Sequence, residues 1–484
     1  IIHYDNKKMP ESVLKEWISL RDELTGSTFS DLLKRFVEVN FLEDYFHDGK
    51  RYDGKWIESR IRELAEEAIE NPDILESEYF WLMTDRARRS YQYGYELGKL
   101  DSDFSFLGKL IEKYRGTGEN RSFSFLGGYL NILFEKNKPL WERMLDILSR
   151  DEFFREFIPE LTWHSGMTDR AARRVLQLVK KGDIDAKNLQ IFRFGCAVKK
   201  ISEPVFNEWI DYLLEESSGA SAVLALDLVF SYYVFKESDK PIPKELVLEL
   251  LLHPVLWEHS ESVLGDQMVD YHWKLIGSAL IDQFPETEDA LGEHILRFFG
   301  DKRGLISGLH SEIQEFLREI AEKNPRKLWK SVQKYLGPPI DTRAFCIREW
   351  LKGEMNLKKK GALEYFDPND IWDWTEDDVE NRAWYLATFV PPTLSYSEND
   401  TCLARELLVR YGDRKDVRDS FSANYSTEAR IGSISEHYVD KKRYLLEFKK
   451  HETDKNVVKW IDEYIERLER DIERANIEEE RRGF

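Results

Sequence analysis

Little in this sequence staples, breaks or anchors the chain. Its 484 residues include three cysteines, Cys196, Cys346 and Cys402, far apart and odd in number. Neither a disulfide framework nor a zinc ribbon can be built from them, so they read as buried structural thiols of a protein kept in the reducing cytoplasm. Ile1-Ile2-His3-Tyr4 has no basic start leading into an apolar core, so no secretory signal is read. The first residue is not Met, which leaves open that the chain is a fragment of a longer protein. The longest apolar stretch is "GASAVLALDLVFSYYVF", Gly219 to Phe235, and it contains Asp227. It is shorter than the ~20 residues a spanning helix needs, so a buried helix is expected and no membrane partner. Positive charge is in deficit, with 71 Lys and Arg against 91 Asp and Glu, a net charge of −20. Whole-surface attraction to nucleic acid or anionic lipid is therefore not expected, although local basic patches remain open.

Signatures of chemistry are missing as well. There is no G-x-x-x-x-G-K-[ST], and the nearest stretch, "GDKRGLISG" (Gly300 to Gly308), has the wrong order. No G-x-G-x-x-G follows a strand, and H-E-x-x-H, C-x-x-C and G-x-S-x-G do not occur. ATP hydrolysis by this chain is not expected. No catalytic, cofactor-binding or metal residue is assigned, and catalytic domains, if there are any, are placed outside it. The nearest thing to a ligand set is His259, Asp266, Asp270 and His272, and it reads as a polar helix face.

What is present is helical periodicity. A hydrophobic content of 42% with 13% aromatics suits a folded protein. Glycine and proline are sparse, and apolar residues recur three and four apart: Trp56, Ile57, Ile61, Leu64, Ala65 and Ile69 share one face, and Val205, Phe206, Trp209, Ile210 and Leu213 another. Punctuation such as "KNKP" (Lys136 to Pro139), "KKGDID" (Lys180 to Asp185) and "KPIP" (Lys240 to Pro243) recurs every ~15–25 residues. Ser202-Glu203-Pro204 reads as a helix start, and Thr375-Glu376-Asp377-Asp378 as acids in a first turn. The expected fold is all-α, an α-solenoid of stacked helix pairs of HEAT-like period ending in a helical hairpin. The expected divisions are an N-terminal helical array over 1–200, continuing repeats over 201–351, a Trp- and Pro-rich junction over 352–420, and a capping loop with terminal hairpin over 421–484. In the junction, Trp372, Trp374 and Trp384 are expected to pack together, with an aromatic ligand platform as the alternative.

Two segments match each other: "MTDRARR" (Met83 to Arg89) and "MTDRAARR" (Met167 to Arg174). The bland reading is a recurring N-cap with solvated arginines. The sharper one is a pair of basic patches for an acidic partner or for RNA, Arg86, Arg88 and Arg89 in one and Arg170, Arg173 and Arg174 in the other, with the excess of acid elsewhere arguing against RNA. At the end of the chain, Val458, Ile461, Ile465, Leu468, Ile472 and Ala475 form a short heptad seam. Glu463 with Arg467, and Glu466 with Arg470, have the favoured i,i+4 order. An antiparallel hairpin with the preceding helix, turning at "HETDKN" (His451 to Asn456), is the simplest use of the seam. Self-association through 456–484 is the alternative. The polar run "FSANYSTEARIGSISEHY" (Phe421 to Tyr438) reads as a loop that starts a helix, with Ser433 and Glu436 as its capping box.

From here the chain resembles a known family. "LGPPIDTRAFCIREWLKG" (Leu336 to Gly353), "FVPP" (Phe389 to Pro392), "LARELLVRYGDRKDVRDSFSANYSTEARIGSISEHYVDKKRYLLEFK" (Leu403 to Lys449) and "NVVKWIDEYIERLERDIERANIEEER" (Asn456 to Arg481) resemble the C-terminal end of bacterial antiviral STAND-type NTPases, the Avs-like and NACHT-bearing kind. The likeness covers roughly 324–482 and contains no catalytic motif. It departs at Ala429-Arg430-Ile431, where the family tail often carries a Trp. In that family an effector and an ATPase module precede a helical-repeat sensor for a viral protein. The resemblance implies that this chain is the sensor part, binding a protein partner such as a phage structural or packaging protein. The alternatives are a scaffold of a larger ATPase–effector assembly and, with less support, a nucleic-acid-binding helical protein.

Overall fold

A computed structural model of the chain describes residues 10–482 apart from 39–45, 48–49, 52–54, 117, 119–120, 217, 237, 239, 258–266, 301–310, 354–360, 395–401 and 428–432. Among the described residues 25 α-helices carry the fold, and the one extended pairing is a two-residue antiparallel ladder, Phe46–His47 with Lys50–Arg51. The fold is all-α, as the periodicity predicts. No helix among the described residues is long and apolar enough to cross a membrane.

The chain divides within the "KPIP" punctuation into two compact units, Ile1–Lys240 and Pro241–Phe484. The first holds α1 (Glu11–Thr25), α2 (Phe29–Val37), α3 (Lys55–Glu70), α4 (Tyr79–Leu82), α5 (Ser90–Leu100), α6 (Phe106–Arg115), α7 (Ser124–Lys136), α8 (Lys138–Leu148), α9 (Ile158–Ser165), α10 (Asp169–Lys180), α11 (Glu203–Glu215) and α12 (Gly219–Val229). The second holds α13 (Lys244–Leu251), α14 (Pro254–Trp257), α15 (Gln267–Gln283), α16 (Glu288–Phe298), α17 (Ser311–Lys323), α18 (Pro325–Gln333), α19 (Thr342–Lys352), α20 (Pro368–Glu376), α21 (Val379–Ala387), α22 (Leu403–Tyr411), α23 (Lys415–Tyr425), α24 (Ile434–Lys449) and α25 (Lys455–Arg482).

Local chemistry sets many of these starts. Thr28 and Asp31 close a full capping box on α2, and Asn137, Thr168 and Asp341 each accept the amide three residues on. Two expected starts differ. Ser202 occupies the N-cap of α11 but makes no side-chain cap bond; its own N–H donates to Asp169 at 2.7 Å. Thr375 lies inside α20, and the cap is Asp378, which accepts from Asn381 N at 3.3 Å to open α21. The apolar run from Gly219 is a buried helix that passes into a π-turn at Phe230–Val234, and its Asp227 is ion-paired to Arg193. Of the three cysteines only Cys346 is buried. Cys196 is half-exposed because it sits in a left-handed turn (φ 55°), and Cys402 because it stands at the N-cap of α22.

Tertiary polar bonds join residues about one repeat apart. Trp209 Nε1 donates to Ala172 O (3.2 Å, 37 residues away), Trp329 to Asp370 O (3.0 Å, 41), Trp350 to Gln314 O (3.3 Å, 36) and Trp460 to Ser422 Oγ (3.0 Å, 38). Tyr385 OH reaches Ala344 O (3.2 Å, 41). That spacing is two helices and their links, so a helix packs on its second neighbour: α5 on α7, α7 on α9, α15 on α17, α16 on α18 and α21 on α23. Each unit is thus a solenoid-like stack. At the α5–α7 crossing the two backbones approach closely. A Cβ at Gly94 would strike the Phe125 carbonyl, and one at Gly128 the Tyr91 carbonyl, so only glycine fits at either place.

The chain ends in the expected antiparallel hairpin. Lys449 pairs with Asp462, Lys442 with Glu469 (2.7 Å) and Ser435 with Glu479 (2.6 Å), so α24 and α25 run in opposite directions. The seam residues Ile461, Ile465, Leu468 and Ala475 are buried within the chain, and Val458 and Ile472 are half-buried. Ser433 accepts from Glu436 N (3.1 Å), but the return bond expected of Glu436 is not made. Glu479 takes its place, accepting from the amides of Ile434 (2.7 Å) and Ser435 (3.2 Å), which suits a carboxylate at a helix N-terminus. Phe421–Tyr425 are the last turns of α23 rather than loop, and Asn424 is buried there, donating to Ala387 O and Val390 O. Ala429, Arg430 and Ile431 lie outside the described residues. Glu463 pairs not with Arg467 but with buried Arg418 (2.7 Å), which also donates to Gly412 O and Asp413 O. Arg405 makes two bonds to Glu452 (2.8 and 2.9 Å) at the hairpin turn.

Burial raises the Glu452 pKa, but Arg405 and the amides of Asp454 and Thr453 outweigh it and hold the value below the ordinary 4.5. A depressed carboxylate contributes its stability above the ordinary value and loses it as pH falls through the folded one. Protection factors for amide exchange in 455–465, taken against the intrinsic rate at each pH, should therefore fall on acidification below about pH 4.5, and E452Q should flatten that dependence; an unchanged profile would count against the Arg405–Glu452 clamp. R418A should raise exchange in α25 about tenfold, the equivalent of about 1.4 kcal/mol.

Candidate functional site

Three adjoining hollows mark one surface of the first unit. The largest, about 870 Å³, lies between the end of α8, the turn after it, α10 and the link that follows α10. A second, about 460 Å³, shares Arg155 and Asp183 with it, and a third, about 410 Å³, shares Glu156 and Asn188 with the second. The Arg155–Asp183 ion pair (2.6 Å) is the ridge between the first two.

The sequence around the largest hollow dictates its charges. Thr168 takes an extended backbone and caps α10 through Ala171 N (3.0 Å), and from that helix Arg170 and Arg174 reach across to α8. Arg174 is only 7% exposed; its Nε donates to Asp146 Oδ1 (2.8 Å), and its Nη2 to Glu142 O (3.2 Å) and the Glu142 carboxylate. Thr168 donates its hydroxyl to the same carboxylate. Arg170, exposed, pairs with Asp146. Arg173 binds Glu208 of α11 through Nε (3.1 Å) and Nη2 (2.8 Å), and this contact holds the Glu208 carboxyl below its ordinary value. Arg150 and Lys181 are exposed at the rim and make no ion pair among the described residues.

The matched segments are thus not structural twins. Thr168 caps a helix, whereas Met83–Arg89 is a turn in which the Thr84 hydroxyl donates to Trp81 O (2.8 Å) and α5 begins only at Ser90. Arg86 is exposed and pairs with Glu38 (2.8 Å), Arg88 is exposed and Arg89 half-buried. Only the second arginine group lines the hollow, and within it Arg174 is a buried tie rather than a solvated contact. Sequence reasoning missed Glu142, Asp146, Arg150, Arg155 and Lys181. The signal was present in "WERMLDILSR", where Glu142, Asp146 and Arg150 recur four apart on one face.

The other candidate groups serve packing. Trp372 and Trp374 are buried and Trp384 half-buried; Trp329 meets Trp374 edge-on at 5.9 Å, and Arg410 covers Trp372 at 4.9 Å. His294, wedged against Trp257 and Phe298, is pushed down to about 4 by burial. His259 and Asp266 lie outside the described residues, and Asp270 is buried. Among the described residues no group of three or more His, Cys, Asp or Glu is placed to hold a metal ion. Compared with known proteins, the chain matches no family model, no curated protein and no solved structure.

The contrast between neighbouring arginines can be measured. R174M leaves the Glu142 and Asp146 charges facing each other in a buried site and should destabilise the first unit by about 3 kcal/mol. R170A, at a mostly exposed pair, should cost less than about 1 kcal/mol. Urea denaturation of both variants checks this; equal losses would show that Arg174 is not the tie.

Proposed function

We propose that this chain is a non-catalytic helical-repeat recognition module that binds a protein partner, a phage structural or packaging protein, within a bacterial antiviral defence system in the cytoplasm. The observation that carries the reading is the one-repeat reach of the tertiary bonds, 36 to 41 residues for the tryptophan and tyrosine ties that span two stacked helices. Stacks held only by their neighbours leave lateral faces free, and such faces are what helical-repeat proteins use to grip other proteins. The three adjoining hollows give the first unit a concave, charged region on such a face. The resemblance of 324–482 to the sensor end of STAND-type NTPases supports a phage protein as the ligand. Self-association through 456–484 has less support, because the α25 seam is already covered within the chain.

A panel of purified phage capsid, tail and packaging proteins, tested against the immobilised chain, should contain one that binds with a Kd below about 1 µM, some −8 kcal/mol. A panel silent throughout, with circular dichroism showing a folded helical chain, would sink the proposal.

A further inference from the structure

We infer that the hollow of about 870 Å³ is a pocket for a short acidic segment of a protein partner, with Arg150 and Lys181 as its uncommitted cations and Arg170 and Arg173 as its pre-oriented ones. This rests on the recognition reading above and gives it a site and a ligand chemistry.

The hollow is electrostatically out of character for the molecule. Six cationic side chains line it (Arg150, Arg155, Arg170, Arg173, Arg174 and Lys181) against three anionic ones (Asp146, Asp169 and Asp183), on a chain of net charge −20. Charges farther off than about 8 Å are largely screened at physiological ionic strength, so a group inside meets the local cations and not the overall negative charge. The pocket is also prepared. Asp146 fixes Arg170 and Glu208 fixes Arg173, so both guanidinium groups keep their orientation while retaining unused N–H donors. A planar guanidinium with spare donors matches a carboxylate, and Arg150 and Lys181 add charge that no described acid neutralises.

The surroundings limit the length of the anion. The adjoining hollow carries Glu152, Glu156, Asp183 and Asp185 against Arg155 and Lys187, a local excess of acid. A long polyanion laid through the first hollow would run onto the second and be repelled there. A compact run of Asp or Glu side chains stops short of it, which favours an acidic protein segment over a nucleic-acid strand.

The probe is fluorescein-labelled hexaglutamate, titrated with the full chain and followed by fluorescence anisotropy at low salt and at about 0.15 M salt. The expected result is salt-sensitive binding that weakens at least about tenfold in R150E/K181E, with the circular dichroism unchanged. If R150E/K181E does not fold, R150Q/K181Q gives the same comparison with a smaller loss. Equal binding by wild type and variant, no binding at low salt, or tighter binding of a single-stranded oligonucleotide of about 20 nucleotides would overturn the assignment. A phage protein that binds wild type and R150E/K181E alike would overturn the pocket and leave the recognition reading standing. Hexaglutamate binding that depends on Arg150 and Lys181, beside a silent phage panel, would support the pocket and reject the phage partner.

Discussion

Four indole N–H groups in this fold find their acceptor about one repeat away. Trp209, Trp329, Trp350 and Trp460 each bury a large ring and place the N–H on an oxygen of the next helix pair. One residue thus supplies apolar area and, through its single donor, fixes the depth and rotation at which two stacks meet. Apolar packing alone would let a helix slide by a turn with little penalty. Sliding a donor off its carbonyl costs a buried hydrogen bond, so the register is held where the core is otherwise greasy. Tyr385 does the same with its hydroxyl, and Asn424 with its amide on two carbonyls.

Charge follows the same step. With acids in excess, cations are claimed by carboxylates far along the chain: buried Arg174 by Glu142, exposed Arg193 by buried Asp227, half-buried Arg405 by Glu452 and buried Arg418 by Glu463. Lys274 is shared by Glu312, Glu315 and Glu319 at 3.5, 3.0 and 3.3 Å. These ties orient stacks more than they stabilise them, since each draws two ions partly out of water. Their wider effect is to use up positive charge. Arg150 and Lys181 stand out because so many of the neighbouring cations already have an acid.

Much of this architecture was legible in the sequence, because helices declare themselves by period and hairpins by a seam with a turn. Ile461, Ile465 and Leu468 could be placed from spacing alone. What stayed hidden is what depends on partners far away in sequence. Ser433 announced a cap, but whether Glu436 or Glu479 would complete it depended on where α25 docks. Thr84 and Thr168 stand second in nearly identical segments, yet only the later segment begins a helix, since Met83–Arg89 is tied back to Trp81 O and Val37 O. The Gly128 in "FLGGYL" was passed over in the sequence, and only the crossing of α5 and α7 shows why it, like Gly94, carries no side chain. The hollow was legible only in part: Arg170, Arg173 and Arg174 stood out as a basic group, but Arg150, Arg155 and Lys181 come from a turn and a link and each looks like an ordinary solvated residue on its own.

The neighbour-only design also decides what a ligand in that hollow can do. Its walls belong to α8, the turn that follows, α10 and the link beyond, so an occupant bridges a single stacking step. That step is closed by the same ions the occupant would meet. Asp146 serves both Arg170 and Arg174, and Glu142 serves Arg174 and the Thr168 cap. A carboxylate arriving at Arg170 competes with Asp146, and an Asp146 released from Arg170 turns wholly to Arg174, deeper in the step. Occupancy then loosens the exposed tie and leaves the buried one in place. The same helix α10 hands on to α11 through Arg173 with Glu208, Asp169 with the Ser202 amide and Ala172 O with Trp209, so what an occupant does in this step is felt next by α11 and travels farther only from neighbour to neighbour.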